Sequence, residues 1–152
     1  MRLSETSGVL LALDLGSVRT GVAACDALRI LAYPVEVITQ DQNLATRLTS
    51  LAEEYNAVGV VIGYPLTLEG EPGIAAQLIR DRAQVLSSTT KIPMWLVDER
   101  LSTAEAHQKL RSIGRNSRSS REIVDAVAAV GILELVMNAL NQGQDIGQDI
   151  RI

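Results

Sequence analysis

The stretch Val9 to Leu15 reads VLLALDL, breaks at Gly16-Ser17, and resumes as TGVAACD from Thr20 to Asp26. A nearly continuous apolar run of this length fits a strand buried on both faces, and the short break fits a turn into an antiparallel neighbour. Working outward, Pro34 precedes VEVIT, a β-branched stretch that predicts a third strand. The period then changes: Leu44, Leu48, Leu51, Ala52 and Tyr55 predict an amphipathic helix over residues 41–56. VGVVIG, Val58 to Gly63, predicts a fourth strand. Ile74, Leu78, Ile79, Val85 and Leu86 mark a second helix, and PMWLV, Pro93 to Val97, a fifth strand.

Ser102-Thr103-Ala104-Glu105 fits a capping box that opens a third helix reaching about Ile113, after which residues 114–120 read as a loop. A last helix over residues 121–140 is apolar nearly all round and is therefore expected to be buried. The final NQGQDIGQDIRI lacks periodicity and is expected to fray, so residues 1–141 are read as one domain and 142–152 as a flexible C-terminal tail. Short early links suit an antiparallel meander, and the later strand–helix alternation suits parallel crossovers. The expected fold is α/β, a mixed five-stranded sheet with helices on both faces.

Composition narrows the chemistry. The 152 residues suffice for a single core, and an apolar share of 47% excludes global disorder. Aromatics are only 3%, with no Phe, so platforms for stacking unpaired bases are scarce. One Cys and one His rule out a disulfide framework, a Cys-rich zinc module and a His-based zinc triad. Cys25 reads as a small apolar strand residue and His107 as a half-buried helix residue. No secretory signal is visible, and no apolar run approaches the ~18 residues of a membrane span. A soluble, cytoplasmic protein with no membrane role is expected.

Acidic residues at three places stand out: Asp14 and Asp125 in apolar runs, and the pair Asp98 and Glu99 at a strand end. Asp14 interrupts the most apolar strand; ionised and unpaired there it would cost several kcal/mol, so it needs a cation, a hydrogen-bonding turn or a raised pKa. Capping of the Gly16-Ser17 turn by its own side chain is the plain alternative. Asp125 lies in REIVDAVAAVGILELV, where Ala128, Ala129 and Ile132 cannot satisfy a charge, although Arg121 four residues earlier could. Asp98 and Glu99 leave the carboxyl end of the fifth strand, a place suited to lining a site. Consecutive side chains there point to opposite sides, so one should face the site and the other bind structure, such as Arg100 or a backbone amide. Glu105 is explained by its capping role. Several carboxylates from distant parts of the chain, with no His or Cys, favour Mg2+ or Mn2+ over zinc and suit phosphoryl chemistry. Glycoside hydrolysis needs only two carboxylates, but sugar sites usually want aromatic surfaces.

The net charge of −4 hides an uneven distribution. Lys109, Arg111, Arg115, Arg118 and Arg121 fall in one stretch without an acid, which suits contact with a phosphate backbone. A solvated helix end accounts for Lys109 and Arg111 alone.

Four segments together resemble the YqgF family of Holliday-junction-resolvase-like proteins, described as pre-16S rRNA nucleases. They are Asp14 to Ala23, the loop Gly63-Tyr64-Pro65-Leu66 continuing through Gly70 and Gly73, the unbroken Asp98-Glu99-Arg100-Leu101-Ser102-Thr103, and Asp125-Ala126-Val127-Ala128-Ala129. The resemblance spans roughly residues 8–140 in order and spacing. Two departures stand out: Val18 occupies the family's usual Lys position, leaving that edge to Arg19, and Thr67 stands where the loop often carries Asn. The resemblance implies a ribonuclease H-like fold with acidic site residues Asp14, Glu99 and Asp125 holding Mg2+ or Mn2+. It implies a nuclease processing the 5′ end of precursor 16S rRNA in ribosome biogenesis, with Arg19 or Arg100 steadying phosphate, while the acid-free basic stretch adds Arg115, Arg118 and Arg121 on the nucleic acid.

Three rivals remain open on the residues. A Holliday junction resolvase would run the same chemistry on DNA, and a symmetric junction would call for a homodimer with two sites. A nucleotide-binding phosphotransferase shares Asp-x-Gly-Ser but generally needs two such domains. A non-catalytic RNA-binding factor would keep the fold while its carboxylates served structure.

Overall fold

The structure, a computed structural model, describes residues 1–101 and 118–151, with side chains described up to Arg100 and from Ala126 to Arg151. The expected helix from Ser102 to Ile113, with Glu105, His107, Lys109 and Arg111, lies outside the described residues, as does Arg115. The strands are β1 (Leu10–Leu15), β2 (Arg19–Cys25), β3 (Ala32–Thr39), β4 (Gly59–Tyr64), β5 (Met94–Asp98) and β6 (Gln148–Asp149), and the helices α1 (Leu44–Tyr55), α2 (Ile74–Thr90) and α3 (Arg118–Asn141). They form one sheet in the order β3-β2-β1-β4-β5-β6. β1, β2 and β3 pair as an antiparallel meander, while β1, β4 and β5 run parallel through the α1 and α2 crossovers.

Alternation along each strand sorts the core into two layers. Leu11, Leu13 and Leu15 of β1 join Val60, Ile62, Met94 and Leu96 under α1 and α2. Leu10 and Ala12 join Val61, Trp95 and Val97 under Ala129, Ile132, Leu133 and Val136 of α3. α3 crosses β1, β2 and β3 on that second face. Its near-uniform apolarity reflects this broad covering role. Local chemistry sets the α1 limits: the Asn43 side chain accepts from the Thr46 amide at 3.0 Å, and Asn56 closes the helix in the left-handed region at φ 53°.

Three expectations are corrected. The third strand begins at Ala32, ahead of Pro34, because β3 is the sheet edge, where a missing N–H is tolerated, and a register shift opposite Val22/Ala23 absorbs the irregularity. The last helix starts at Arg118, inside the segment read as a loop, since a Ser-rich first turn carries no apolar period. The sheet has six strands in place of five: residues 148–149, in the segment expected to fray, pair antiparallel with β5.

A buried carboxylate holds β6 in place. Asp149 receives the Met1 ammonium at 3.0 Å and the Arg151 guanidinium at 2.9 Å, and the Trp95 indole donates to the Met1 carbonyl at 3.1 Å. The Arg151 guanidinium, together with its backbone amide and the Met1 ammonium, holds the Asp149 carboxyl far below the usual range. A depressed carboxyl contributes stability above its unfolded value of 3.8 that is lost as pH falls further. Asp149→Asn should therefore cost about 1–3 kcal/mol at pH 7, discounted for the half-exposed cations, and the deficit should shrink in melts taken below pH 4. An equal deficit at pH 7 and pH 3 would contradict this assignment.

Candidate active site

β1 and the 3-10 turn that opens at Glu99, directly after β5, present carboxylates on the same face. Asp14 follows Leu10 and Ala12, and Glu99 follows Trp95 and Val97, all on the α3 side. β4 lies between them in the sheet. Leu13 pairs with Ile62 and Val97 with Gly63, so one more step of the β1–β4 register brings Asp14 beside Gly63. A methyl group built at Gly63 would overlap the Glu99 Oε1 and come within 2.7 Å of the Ile132 Cδ1. The Glu99 carboxylate thus lies across the bare backbone of β4, toward Asp14. Burial, then the Asp14 charge, then that of Asp98 push the Glu99 carboxyl up to about 7.

The turn after Asp14 is held from several sides. The Gly16 amide donates to the Arg19 carbonyl at 2.9 Å, and a methyl group at Gly16 would overlap that oxygen. Arg82 of α2 donates to the Gly16 carbonyl at 2.9 Å, and the Gln40 amide to the Ser17 carbonyl at 2.9 Å. Arg19 itself is half-buried at the start of β2, and Val18 is exposed.

Asp98 turns the other way, as alternation requires. It accepts from the Arg100 amide at 3.0 Å and pairs with the Arg100 guanidinium at 2.8 Å. That side-chain hydrogen bond holds the Asp98 carboxyl below its ordinary value. Arg100 also donates to the Leu68 carbonyl at 3.3 Å, tying the strand end to the loop closed by the Leu66–Pro72 bridge. Gly70 completes the loop at φ 83° against the Arg100 guanidinium.

Of the expected site residues, the structure brings Asp14 and Glu99 together. Residue 125 is in α3, four positions before the buried Ala129 and seven before Ile132, which puts it on the same helical stripe. The side chains of Asp125, Arg118 and Arg121 lie outside the described residues. Sequence reasoning missed two contributors. Gly63 was legible as a strand end and as the first residue of the family-like loop, but its contact with Glu99 depends on the register of three strands. Arg82 acts on a turn 66 residues away, for which no local signal exists.

The donor set suits a divalent cation. Two carboxylates on one face over a cradle without a side chain, one of them disfavoured in its charged form by burial and then by the other's charge, offer oxygen ligands that a cation would suit. Among the described residues no group of three or more His, Cys, Asp or Glu side chains could hold a metal.

Comparisons with known proteins bear on the same region. A family profile described as "RuvX: Holliday junction resolvase" matches residues 8–139. A Cutibacterium acnes protein named "Putative pre-16S rRNA nuclease" is 42% identical over 138 residues, covering 90% of this chain and 86% of its own. A protein of the same name from Streptomyces avermitilis is 42% identical over 135 residues, covering 87% and 86%. Among solved structures, "T. thermophilus RuvC in complex with Holliday junction substrate" superposes with a TM-score of 0.60 at 12% identity, covering 93% of this chain and 99% of that one. A second structure of Thermus thermophilus RuvC gives 0.54, also at 12% identity, covering 92% and 99%. These likenesses show the fold, the ribonuclease H-like one.

Proposed function

Because the chain belongs to the RuvX family, whose profile carries the description Holliday junction resolvase, we propose that it is a divalent-metal-dependent nuclease that processes the 5′ end of precursor 16S rRNA. The observation that carries this reading is the Asp14–Glu99 pair laid over Gly63 on the face that α3 covers. The names of the relatives support the choice of RNA.

Asp14, Glu99 and Asp125 would hold one or two Mg2+ or Mn2+ ions. When bound, such ions polarise a phosphoryl oxygen and make water a competent nucleophile near neutral pH. The chain's own groups position that chemistry. Arg82, Gln40 and the Gly16–Arg19 bond fix the turn that follows Asp14, and the Asp98–Arg100 pair fixes the strand end from which Glu99 projects. Arg19 sits at the edge of the turn, where it would meet a phosphate in place of the absent Lys at position 18. The Arg100 guanidinium is engaged by Asp98 and the Leu68 carbonyl, so its part is to order the 66–72 loop beside the phosphate path. Arg115, Arg118 and Arg121 would contact the phosphate backbone as well. The chain works in the cytoplasm in this reading, and no described helix is long and apolar enough to cross a membrane.

The basic segment gives a test of binding separate from chemistry. Changing Arg115, Arg118 and Arg121 to Gln together should weaken binding across sequences alike. It should also flatten the slope of log affinity against log salt, by about 0.7 to 0.9 for each phosphate no longer neutralised. The single-turnover rate on saturating RNA should fall far less, since these groups position the substrate. Arg121→Gln alone separates any pairing with Asp125 from phosphate binding. An unchanged salt slope in the triple variant would move the binding surface to Arg19 and the Gly63–Gly73 loop. The family description keeps one alternative in play: a four-way DNA junction cut in preference to RNA, by a homodimer with two sites, would replace the rRNA reading.

A further inference from the structure

We infer that Gly63 is a positioning residue, whose missing side chain provides the space in which the Glu99 carboxylate reaches toward Asp14 and against which Ile132 seats α3. The inference rests on the proposed metal site and concerns how three separate elements converge there. Gly63 is the fifth residue of β4, paired with Val97 of β5 and one step past the Ile62–Leu13 pair of β1. Its φ lies outside the left-handed region, so backbone conformation does not explain a glycine.

Space does explain it. A methyl group would overlap Glu99 Oε1, come within 2.9 Å of the Glu99 carboxyl carbon, and within 2.7 Å of Ile132 Cδ1. Real Cβ atoms are not found at these separations, so alanine would force either the carboxylate or the helix to move. Glu99 leads a single 3-10 turn, whereas Ile132 packs in a buried cluster with Ala129, Leu133 and Val136. α3 also carries position 125, seven residues before Ile132, so the depth at which Ile132 seats bears on the helix backbone that holds that position. One absent side chain therefore sets how far the Glu99 carboxylate reaches across β4 toward β1 and how closely α3 seats on that strand.

The test uses the full chain and Mn2+ alone, followed calorimetrically, with melting temperature and single-turnover cleavage of precursor rRNA recorded in parallel. Gly63→Ala should weaken Mn2+ binding by roughly 10–100-fold, as removal of a ligand-orienting partner does, and lower the cleavage rate while leaving the KM for RNA within about twofold. Gly63→Ala combined with Ile132→Val removes the clashing Cδ1 and so should recover melting temperature, yet not Mn2+ affinity. A merely structural role would restore both together, and that result would overturn the inference. So would wild-type Mn2+ affinity in the single variant. If the wild-type protein itself shows no saturable Mn2+ binding, the metal-site reading falls and this inference with it. Wild-type binding with an unaffected Gly63→Ala variant sinks the inference alone.

Discussion

Replacing Asp14 with Asn should lower single-turnover cleavage by roughly a hundredfold or more at saturating Mg2+ or Mn2+, a drop greater than an outer-sphere change gives because a direct ligand is removed. The same change should leave the metal-free fold as stable as wild type or slightly more so. Asp14 stands in a strand of buried leucines, and its charge is one reason the Glu99 carboxyl is pushed up to about 7. Removing that charge relieves repulsion across Gly63. A carboxylate retained for structure alone would behave in the opposite way, with stability reduced and cleavage spared. Cleavage at the wild-type rate by the purified variant would remove Asp14 from the site.

Glu99→Gln and Asp98→Asn should separate cleanly, although the two residues are adjacent. Glu99→Gln should abolish cleavage with little change in the fold. Its signature is also thermodynamic. The Glu99 carboxyl moves from 4.5 to about 7 on folding, so the folded state binds this proton more tightly. Its stabilising contribution is complete below pH 4.5 and is lost as pH rises through about 7, at most on the order of 3 kcal/mol. In the absence of metal, wild type should therefore lose melting temperature between pH 5 and pH 8, and Glu99→Gln should flatten that fall. Mn2+ should restore stability at pH 8 to wild type and not to the variant. Asp98→Asn removes the pair with Arg100 and should cost about 1 kcal/mol, small because both partners are partly exposed, with cleavage reduced only a few-fold. The reverse ranking of the two variants would transfer the ligand role to Asp98.

Much of the architecture was readable from the chain because it rests on short-range patterns. The apolar runs at Leu10–Leu15 and Gly59–Tyr64 announce buried strands, and the spacing of Leu44, Leu48 and Leu51 announces α1. Asp14 was visible because a charge in such a run demands a reason. Alternation alone predicted that Asp98 and Glu99 would part, though only the resemblance chose between them, and the structure has Glu99 on the face of Asp14. What escaped depends on long-range pairing. β6 is two residues long, and its Asp149 is held by an ammonium 148 residues away. The Gly63 cradle appears only once three strands are in register. Pro34 looked like a boundary because its missing donor matters inside a sheet and not at the edge where β3 lies.

Incubation of the wild-type chain with Mn2+ and three end-labelled substrates, namely precursor 16S rRNA, a plain RNA duplex and a four-way DNA junction, tests the proposed activity most directly. Cleavage in the 5′ extension of the precursor, abolished by EDTA and by Asp14→Asn alike, is the predicted result. A precursor left intact at saturating Mn2+, whether the junction is cut or nothing is, would contradict it.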